Sequence, residues 1–139
     1  MTLFLDTNII LDFFLERKPF YYSAAALLTL AEEKGTQVFV STHSIVTSEY
    51  ICCERMKMPV SQWKRKITAL LSIIEIQPIA KEDLLYALQH DWNDFEDCVM
   101  YHCAKRYNCN KLITRNPKDF LIAGGIEIQL PESFLQEYS

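Results

Sequence analysis

The chain has 139 residues, the length of one ordinary domain, and half of them are hydrophobic. A chain of this size can bury a core without disulfides or a structural metal, and its scarcity of Gly and Pro excludes a fibrous or disordered protein. Its formal net charge of −4 argues against a protein that coats nucleic acid by bulk electrostatics, because that mode needs a strong excess of cations.

The amino-terminal segment lacks the features of a signal peptide or a membrane span. No basic region precedes its apolar stretch, which Asp6 and Asp12 interrupt. The five cysteines are an odd number and include the adjacent Cys52 and Cys53, so they do not form a regular disulfide framework. We therefore expect a cytoplasmic protein with reduced thiols and no membrane association.

Short apolar strands alternate with helical patterns along the chain. The predicted strands cover residues 3–5, 38–40, 73–76, 111–114 and 126–128. The predicted helices run from about residue 9 to a break at 18–19, from 24 to a stop at Gly35, from a cap at Ser44 or Thr47 to the region before Pro59, and over 61–71, 81–90, 94–107 and 132–138. No repeat or flexible linker marks a boundary, so we expect a single domain over residues 1–139.

This alternation predicts an α/β protein whose central sheet is mostly parallel and is covered by helices on both faces. In such proteins ligands bind beyond the carboxyl ends of the strands. Acidic side chains at that edge are therefore the strongest candidates for a functional site.

Several acids occupy that edge or the helices beside it. Asp6 directly follows the first strand, Glu49 lies in the helix after the second, and Asp97 opens an apolar run before the fourth. Asp6 would serve equally well as a helix cap, and Asp94 and Glu96 would complement a helix dipole. Gathered carboxylates repel one another unless a hard cation such as Mg²⁺ or Mn²⁺ offsets them. Such a site is suited to hydrolysing phosphodiester bonds.

Four segments together resemble the PIN-domain family: LDTNIILDFF at 5–14, SEY at 48–50, DWNDFEDCVMYHCA at 91–104 and ITRNPKDF at 113–120. They follow the family's order along almost the whole chain. The resemblance implies a three-layer α/β/α sandwich with an acidic pocket that binds Mg²⁺ or Mn²⁺ and cleaves RNA. Many single-domain bacterial members resemble VapC-type toxins, so it also implies a type II toxin–antitoxin pair, a cognate antitoxin and a homodimer.

The resemblance also implies which residues carry out the chemistry. Asp6, Glu49 and Asp97 match the family's metal-binding acids, and Asn116 matches a fourth position at which many members carry Asp. That departure could weaken a second metal site or reduce activity. Asp94 is the leading candidate for an auxiliary acid.

Polar residues beside these acids are candidates for a supporting role. Thr7, Asn8 and Thr114 could orient a water or a ligand carboxylate, although they would serve equally well as caps. Arg115 neighbours the expected site and is the best candidate for a phosphate contact among the cationic residues. Two other acids are better explained as a solvated helix residue and a local turn or cap, namely Asp12 and Asp119.

Three other functions compete with a nuclease. Cys98 and His102 share a helix face, as a metal pair would, but no second pair at zinc-ligand spacing accompanies them. A receiver or phosphatase would use Asp6 as its phosphate acceptor, yet no second Asp follows two residues later. The remaining alternative is a PIN-like module that binds RNA or protein without cutting, with Asn116 as the sign of lost activity.

Overall fold

The computed structural model describes residues 1–33, 35–120 and 124–138. Its elements are, in chain order, β1 (Thr2–Leu5), α1 (Thr7–Phe14), α2 (Phe20–Leu30), β2 (Gln37–Ser41), α3 (Thr42–Glu49), a π-helical segment (Tyr50–Arg55), α4 (Val60–Leu71), β3 (Glu75–Gln77), α5 (Lys81–Gln89), α6 (Phe95–Arg106), β4 (Lys111–Ile113), a 3₁₀ turn (Pro117–Phe120), β5 (Glu127–Gln129) and α7 (Pro131–Tyr138). Within these described ranges no helix is long and apolar enough to cross a membrane.

The five strands form one parallel sheet in the order β3-β2-β1-β4-β5. β1 is central, and its last residue, Leu5, lies opposite Ile113 of β4. The chain first builds outward from β1 through β2 and β3, and then crosses to the other side of β1 to add β4 and β5. The crevice between β1 and β4 is therefore the topological switch point, where parallel sheets bind their ligands.

Alternate side chains of the strands enter two separate cores, as the period of a strand requires. Leu3 and Leu5 pack in one core with residues of α1, α2 and α4. Phe4, between them, packs in the other core with Met100 of α6 and with Phe120. The observed architecture confirms the predicted α/β/α sandwich with a mostly parallel sheet.

The start of α3 differs from the prediction. Ser41 caps this helix, in place of Ser44 or Thr47, and its Oγ accepts a hydrogen bond of 3.0 Å from the Ser44 amide. Ser41 is also the last residue of β2 and keeps an extended backbone, so strand and helix follow each other without a loop. This early start fixes which residues of α3 face the sheet edge.

Two other elements are shorter at one end than predicted: α2 ends earlier and β3 begins later. α2 ends at Leu30, before the predicted stop at Gly35, because tight i to i−3 hydrogen bonds close its last turn. Lys34, within the predicted helix, lies outside the described residues. Residues 73–74 precede β3, since both amides bond to Leu70 at the end of α4.

Candidate active site

Asp6 lies at the switch point, directly after β1, and is only 5% exposed. Its Oδ1 accepts a hydrogen bond of 2.8 Å from the Thr7 amide, which caps α1. Its Oδ2 accepts one of 2.8 Å from the Thr114 hydroxyl, and the Asn8 side-chain amide lies 3.4 Å from the same oxygen. One carboxylate thus caps a helix and also binds the end of the neighbouring strand.

The first turn of α6 brings further acids to this edge. Asp94 caps the helix, because its Oδ1 accepts a hydrogen bond of 2.9 Å from the Asp97 amide. Asp97 is half-buried and is electrostatically coupled to Asp6. After it the helix enters the core with buried Cys98 and Val99. Asp119, in the 3₁₀ turn, adds its negative charge to the same group.

The pKa values of the two central acids are raised. Burial raises the pKa of Asp6 to about 6, although the hydrogen bonds from Thr114 and Thr7 oppose the shift. Burial, followed by repulsion from Asp6 and Asp94, raises the pKa of Asp97 to about 7. Among the described residues, no Lys or Arg is a leading influence on either pKa. The two carboxylates therefore repel each other when both are ionised.

This pair fits a hard divalent cation. Mg²⁺ is commonly held by one or two carboxylates and keeps several waters, and Mn²⁺ also prefers carboxylate oxygen. A cation between Asp6 and Asp97 would offset their repulsion. No group of three His, Cys, Asp or Glu side chains in the described part of the chain is already arranged to hold a metal. The residues that would hold such an ion are therefore the two carboxylates of Asp6 and Asp97.

Glu49, the acid of the SEY motif, lies on a different side of α3 from the residues that contact the neighbourhood of Asp6 and Asp97. Glu49 ends α3, and its charge acts on the Cys53 thiol. The face of α3 toward the acids carries Ser44, whose Oγ is 2.7 Å from Thr7 Oγ1, and His43. Because successive helix residues are about 100° apart, Glu49 points roughly 120° or more away from both.

His43 and Glu96 border the acids, although the sequence does not single out His43. His43 Nε2 lies 3.1 Å from Glu96 Oε2 and 3.3 Å from Thr47 Oγ1. These contacts join α3 to the first turn of α6. The spacing of four residues between His43 and Thr47 is the only sequence signal for this cluster.

The loop after β4 places its three predicted site residues differently. Thr114 contacts Asp6, as described above, and its Oγ1 also accepts a 3.1 Å hydrogen bond from the Asn116 amide. The Asn116 side chain is exposed. Arg115 turns toward Asp12, with Nε donating to Oδ2 at 2.6 Å. Asp12 is fully buried, which corrects its expected assignment as a solvated residue.

His102 lies in a different network, between α5 and α6. Its Nδ1 is 2.6 Å from Asp83 Oδ1, and Arg106 donates to both carboxylate oxygens of Asp83. Asp83 is completely buried, and Cys98 is buried in the adjacent core. An ion-pair network between α5 and α6 therefore accounts for His102 without zinc.

Comparison with known proteins identifies the family. A PIN domain model matches residues 2–118. "Ribonuclease VapC1" of Aquifex aeolicus is 30% identical over 142 residues, which cover 98% of this chain and 94% of that protein. A toxin–antitoxin complex from Klebsiella pneumoniae matches with a TM-score of 0.65 and 25% identity, over 94% of this chain and 98% of that one. VapBC-1 from nontypeable Haemophilus influenzae matches with a TM-score of 0.67 and 19% identity, over 95% and 99%. The chain therefore belongs to the PIN-domain family.

Proposed function

We propose that this chain is an endoribonuclease that uses Mg²⁺ or Mn²⁺. Its family, and a relative named a ribonuclease, support a nuclease, and PIN-domain ribonucleases generally use divalent metal ions. The observation that carries the proposal is the pair of Asp6 and Asp97 at the carboxyl edge of the sheet, with raised pKa values and mutual repulsion. Mg²⁺ and Mn²⁺ prefer carboxylate ligands, and a divalent ion held by them can promote phosphodiester hydrolysis.

In this proposal Asp6 and Asp97 hold the ion, which supplies an activated water and stabilises charge on the scissile phosphate. Thr114 and the Thr7 amide fix the rotamer of Asp6, so that its carboxylate is oriented before substrate arrives. Asp94 fixes the first turn of α6 and thereby the position of Asp97. The RNA phosphate approaches an edge that is negative until the ion is bound.

The test is cleavage of a labelled RNA pool by the wild-type protein with Mg²⁺, Mn²⁺ or EDTA, beside Asp6→Asn and Asp97→Asn. We expect metal-dependent cutting that falls on the order of 100-fold or more in each variant. Calorimetry should show weaker Mn²⁺ binding in both. Glu75→Gln, which changes an exposed acid at the start of β3, is the control and should cut normally. Wild-type protein that binds RNA without cutting it would favour the PIN-fold binding module.

We also propose that the chain is the toxin of a type II pair with an antitoxin partner. Similarity to a toxin–antitoxin complex supports the partner. A groove of about 510 Å³ lined by Phe13, Tyr21, Leu28 and Ile73, with Lys66 among its polar residues, suits an amphipathic segment.

Growth of cells that express the protein tests this proposal. Expression of the wild-type protein should arrest growth, and expression of Asp6→Asn should not. Coexpression of a small protein encoded next to this gene should relieve the arrest; failure of every such protein would leave a solitary RNA-processing enzyme.

Self-association and location complete the proposal. Three exposed apolar side chains line a cavity of about 470 Å³, namely Val46 of α3, Leu84 of α5 and Phe95 at the start of α6. Exposed Leu88 lies one turn after Leu84 on the same face of α5 and extends this apolar patch. An apolar patch of this kind marks a protein interface, and we assign it to a second copy of the chain.

All five cysteines are free, which supports a cytoplasmic location.

A further inference from the structure

We propose that Asp12, Arg115 and Phe20 form a lock that positions Asp6 against the loop after β4, which makes Arg115 a positioning residue. The inference rests on the proposed metal site at Asp6. It replaces the expectation that Arg115 contacts phosphate.

The guanidinium of Arg115 is engaged along its edge and on its face. Nε donates to Asp12 Oδ2 at 2.6 Å, and Nη2 donates to Oδ1 at 3.2 Å. Cζ lies 4.2 Å from the centre of the Phe20 ring. A two-pronged bond to a completely buried carboxylate, with an aromatic ring over the guanidinium, holds the side chain in one orientation.

The lock is connected to Asp6 through two short paths. Arg115 directly follows Thr114, whose hydroxyl donates to Asp6. The Arg115 amide lies 3.4 Å from Asn8 Oδ1, and the Asn8 side-chain amide lies 3.4 Å from Asp6 Oδ2.

Asp6 and Asp12 stand at the start and in the second half of α1. The loop over 114–116 is therefore attached to α1 at two levels, by Asn8 near the acid and by Asp12 further along the helix. Loss of the attachment through Asp12 would let the loop shift relative to α1. The hydrogen bond between Thr114 and Asp6 would then loosen.

Arg17 provides a matched control. Its Nη1 lies 3.8 Å from Asp12 Oδ1, so it is the second cation beside the same carboxylate. It follows α1, and within the described part of the chain its backbone hydrogen bonds go to Asp12 and Tyr21 rather than to the loop after β4. Removal of Arg17 takes away charge near Asp12 and leaves the lock in place.

The experiment compares Arg115→Met, Arg115→Lys, the double variant Asp12→Asn with Arg115→Met, and Arg17→Met. Arg115→Met should weaken Mn²⁺ binding and lower kcat on RNA by roughly tenfold each, with KM changed less than about twofold. Its Asn116 amide, bonded to Thr114, should exchange hydrogen faster. Mn²⁺ binding and kcat of Arg115→Lys should fall between those of Arg115→Met and wild type. Lys keeps the positive charge but cannot make the two parallel hydrogen bonds that the guanidinium makes to Asp12.

The double variant separates positioning from stability. Arg115→Met alone leaves the buried Asp12 carboxylate without its partner, so it should lower the melting temperature. The double variant removes both charges, so its melting temperature should return toward the wild-type value, while its Mn²⁺ binding and kcat should stay low. Arg17→Met should match wild type in Mn²⁺ binding and kcat. Recovery of Mn²⁺ binding together with stability in the double variant would overturn the lock, as would a raised KM with unchanged Mn²⁺ affinity. If wild type does not cut RNA, the nuclease proposal fails, whereas hydrogen exchange at Asn116 still decides the lock.

Discussion

Asp6 and Asp97 are held with different rigidity. Asp6 is bonded through both oxygens, to the backbone of α1 and to the end of β4. Asp97 is half-buried, and the bond that positions it is the one from its own amide to Asp94. A cation would therefore find one fixed carboxylate and one that can adjust, which suits an ion that exchanges waters for substrate oxygens.

The raised pKa values predict how stability of the metal-free protein depends on pH. Folding raises the pKa of Asp6 to about 6 and of Asp97 to about 7 from 3.8, so folding favours their protonated forms. Their stabilising contribution is complete below pH 4 and is lost as pH rises through those values. Unfolding in EDTA should therefore become easier from pH 5 to 8, by on the order of 2 kcal/mol.

The measurement is urea unfolding in EDTA at several pH values, with Asp97→Asn as the comparison. That variant should show a shallower pH dependence and greater stability at pH 8 than wild type. Added Mn²⁺ should stabilise wild type at pH 8 more than the variant. A metal-free protein that becomes more stable from pH 5 to 8 would contradict the raised values.

Glu49→Gln tests whether the acid of the SEY motif takes part in the site, as the resemblance to the PIN-domain family implies. Because Glu49 lies on a different side of α3 from Ser44 and His43, we expect the variant to cut RNA and bind Mn²⁺ within about twofold of wild type. Asp97→Asn should lose activity on the order of 100-fold in the same assay. A comparable loss of activity in Glu49→Gln would indicate that the Glu49 carboxylate belongs to the site.

The sequence indicates individual site residues better than it indicates their partners. Asp6 is found because it directly follows a buried strand, where the sheet topology creates the ligand edge. The direction of Glu49 depends on the residue at which α3 starts, and a cap at Ser41 is not evident from propensity alone. The bond between Arg115 and Asp12 joins residues 103 positions apart, which no local pattern reveals.

At the scale of elements, the apolar strands and the alternation with helices are sufficient to predict the sheet. β1 and β2 are found because their apolar residues are buried from both faces. The end of α4 and the start of β3 form one apolar run, so periodicity cannot separate them. Tertiary packing of Ile74 in the core decides that boundary.

The pairing of α5 with α6 depends on a buried ion pair. Asp83 is fully buried and accepts hydrogen bonds from Arg106, His102 and the Ala80 amide, and these bonds hold its pKa below the usual value. Asp83→Asn would leave Arg106 without its buried charge partner, so it should destabilise the protein by about 3 kcal/mol in urea unfolding. Glu82→Gln removes a more exposed acid 3.7 Å from Arg106 and should cost less than about 1 kcal/mol. Equal losses in both variants would contradict the buried-pair account.

At the scale of the whole molecule, the two proposed partner surfaces belong to different layers. The groove between α1, α2 and α4 lies on the face of the sheet that these helices cover. The apolar patch lies on α3, α5 and the start of α6, next to the core between α5 and α6. Its members are Val46, Leu84, Leu88 and Phe95. His43 and Glu96, which border the acidic edge, also line the apolar cavity. Because the groove and the apolar patch share no residues, the proposed second copy and the proposed antitoxin would not compete for the same side chains.

Leu88→Glu tests the proposed homodimer. Leu88 is 70% exposed, so the change should leave the melting temperature nearly unaltered while it puts a charge into the interface. Since a twofold interface contains the substitution twice, dimerisation should weaken by on the order of 100-fold, as sedimentation would show. Leu71→Glu, at an exposed apolar position on α4, is the matched control and should remain dimeric. A wild-type protein that sediments as a monomer at micromolar concentration would exclude a stable dimer and leave the apolar patch available to another protein.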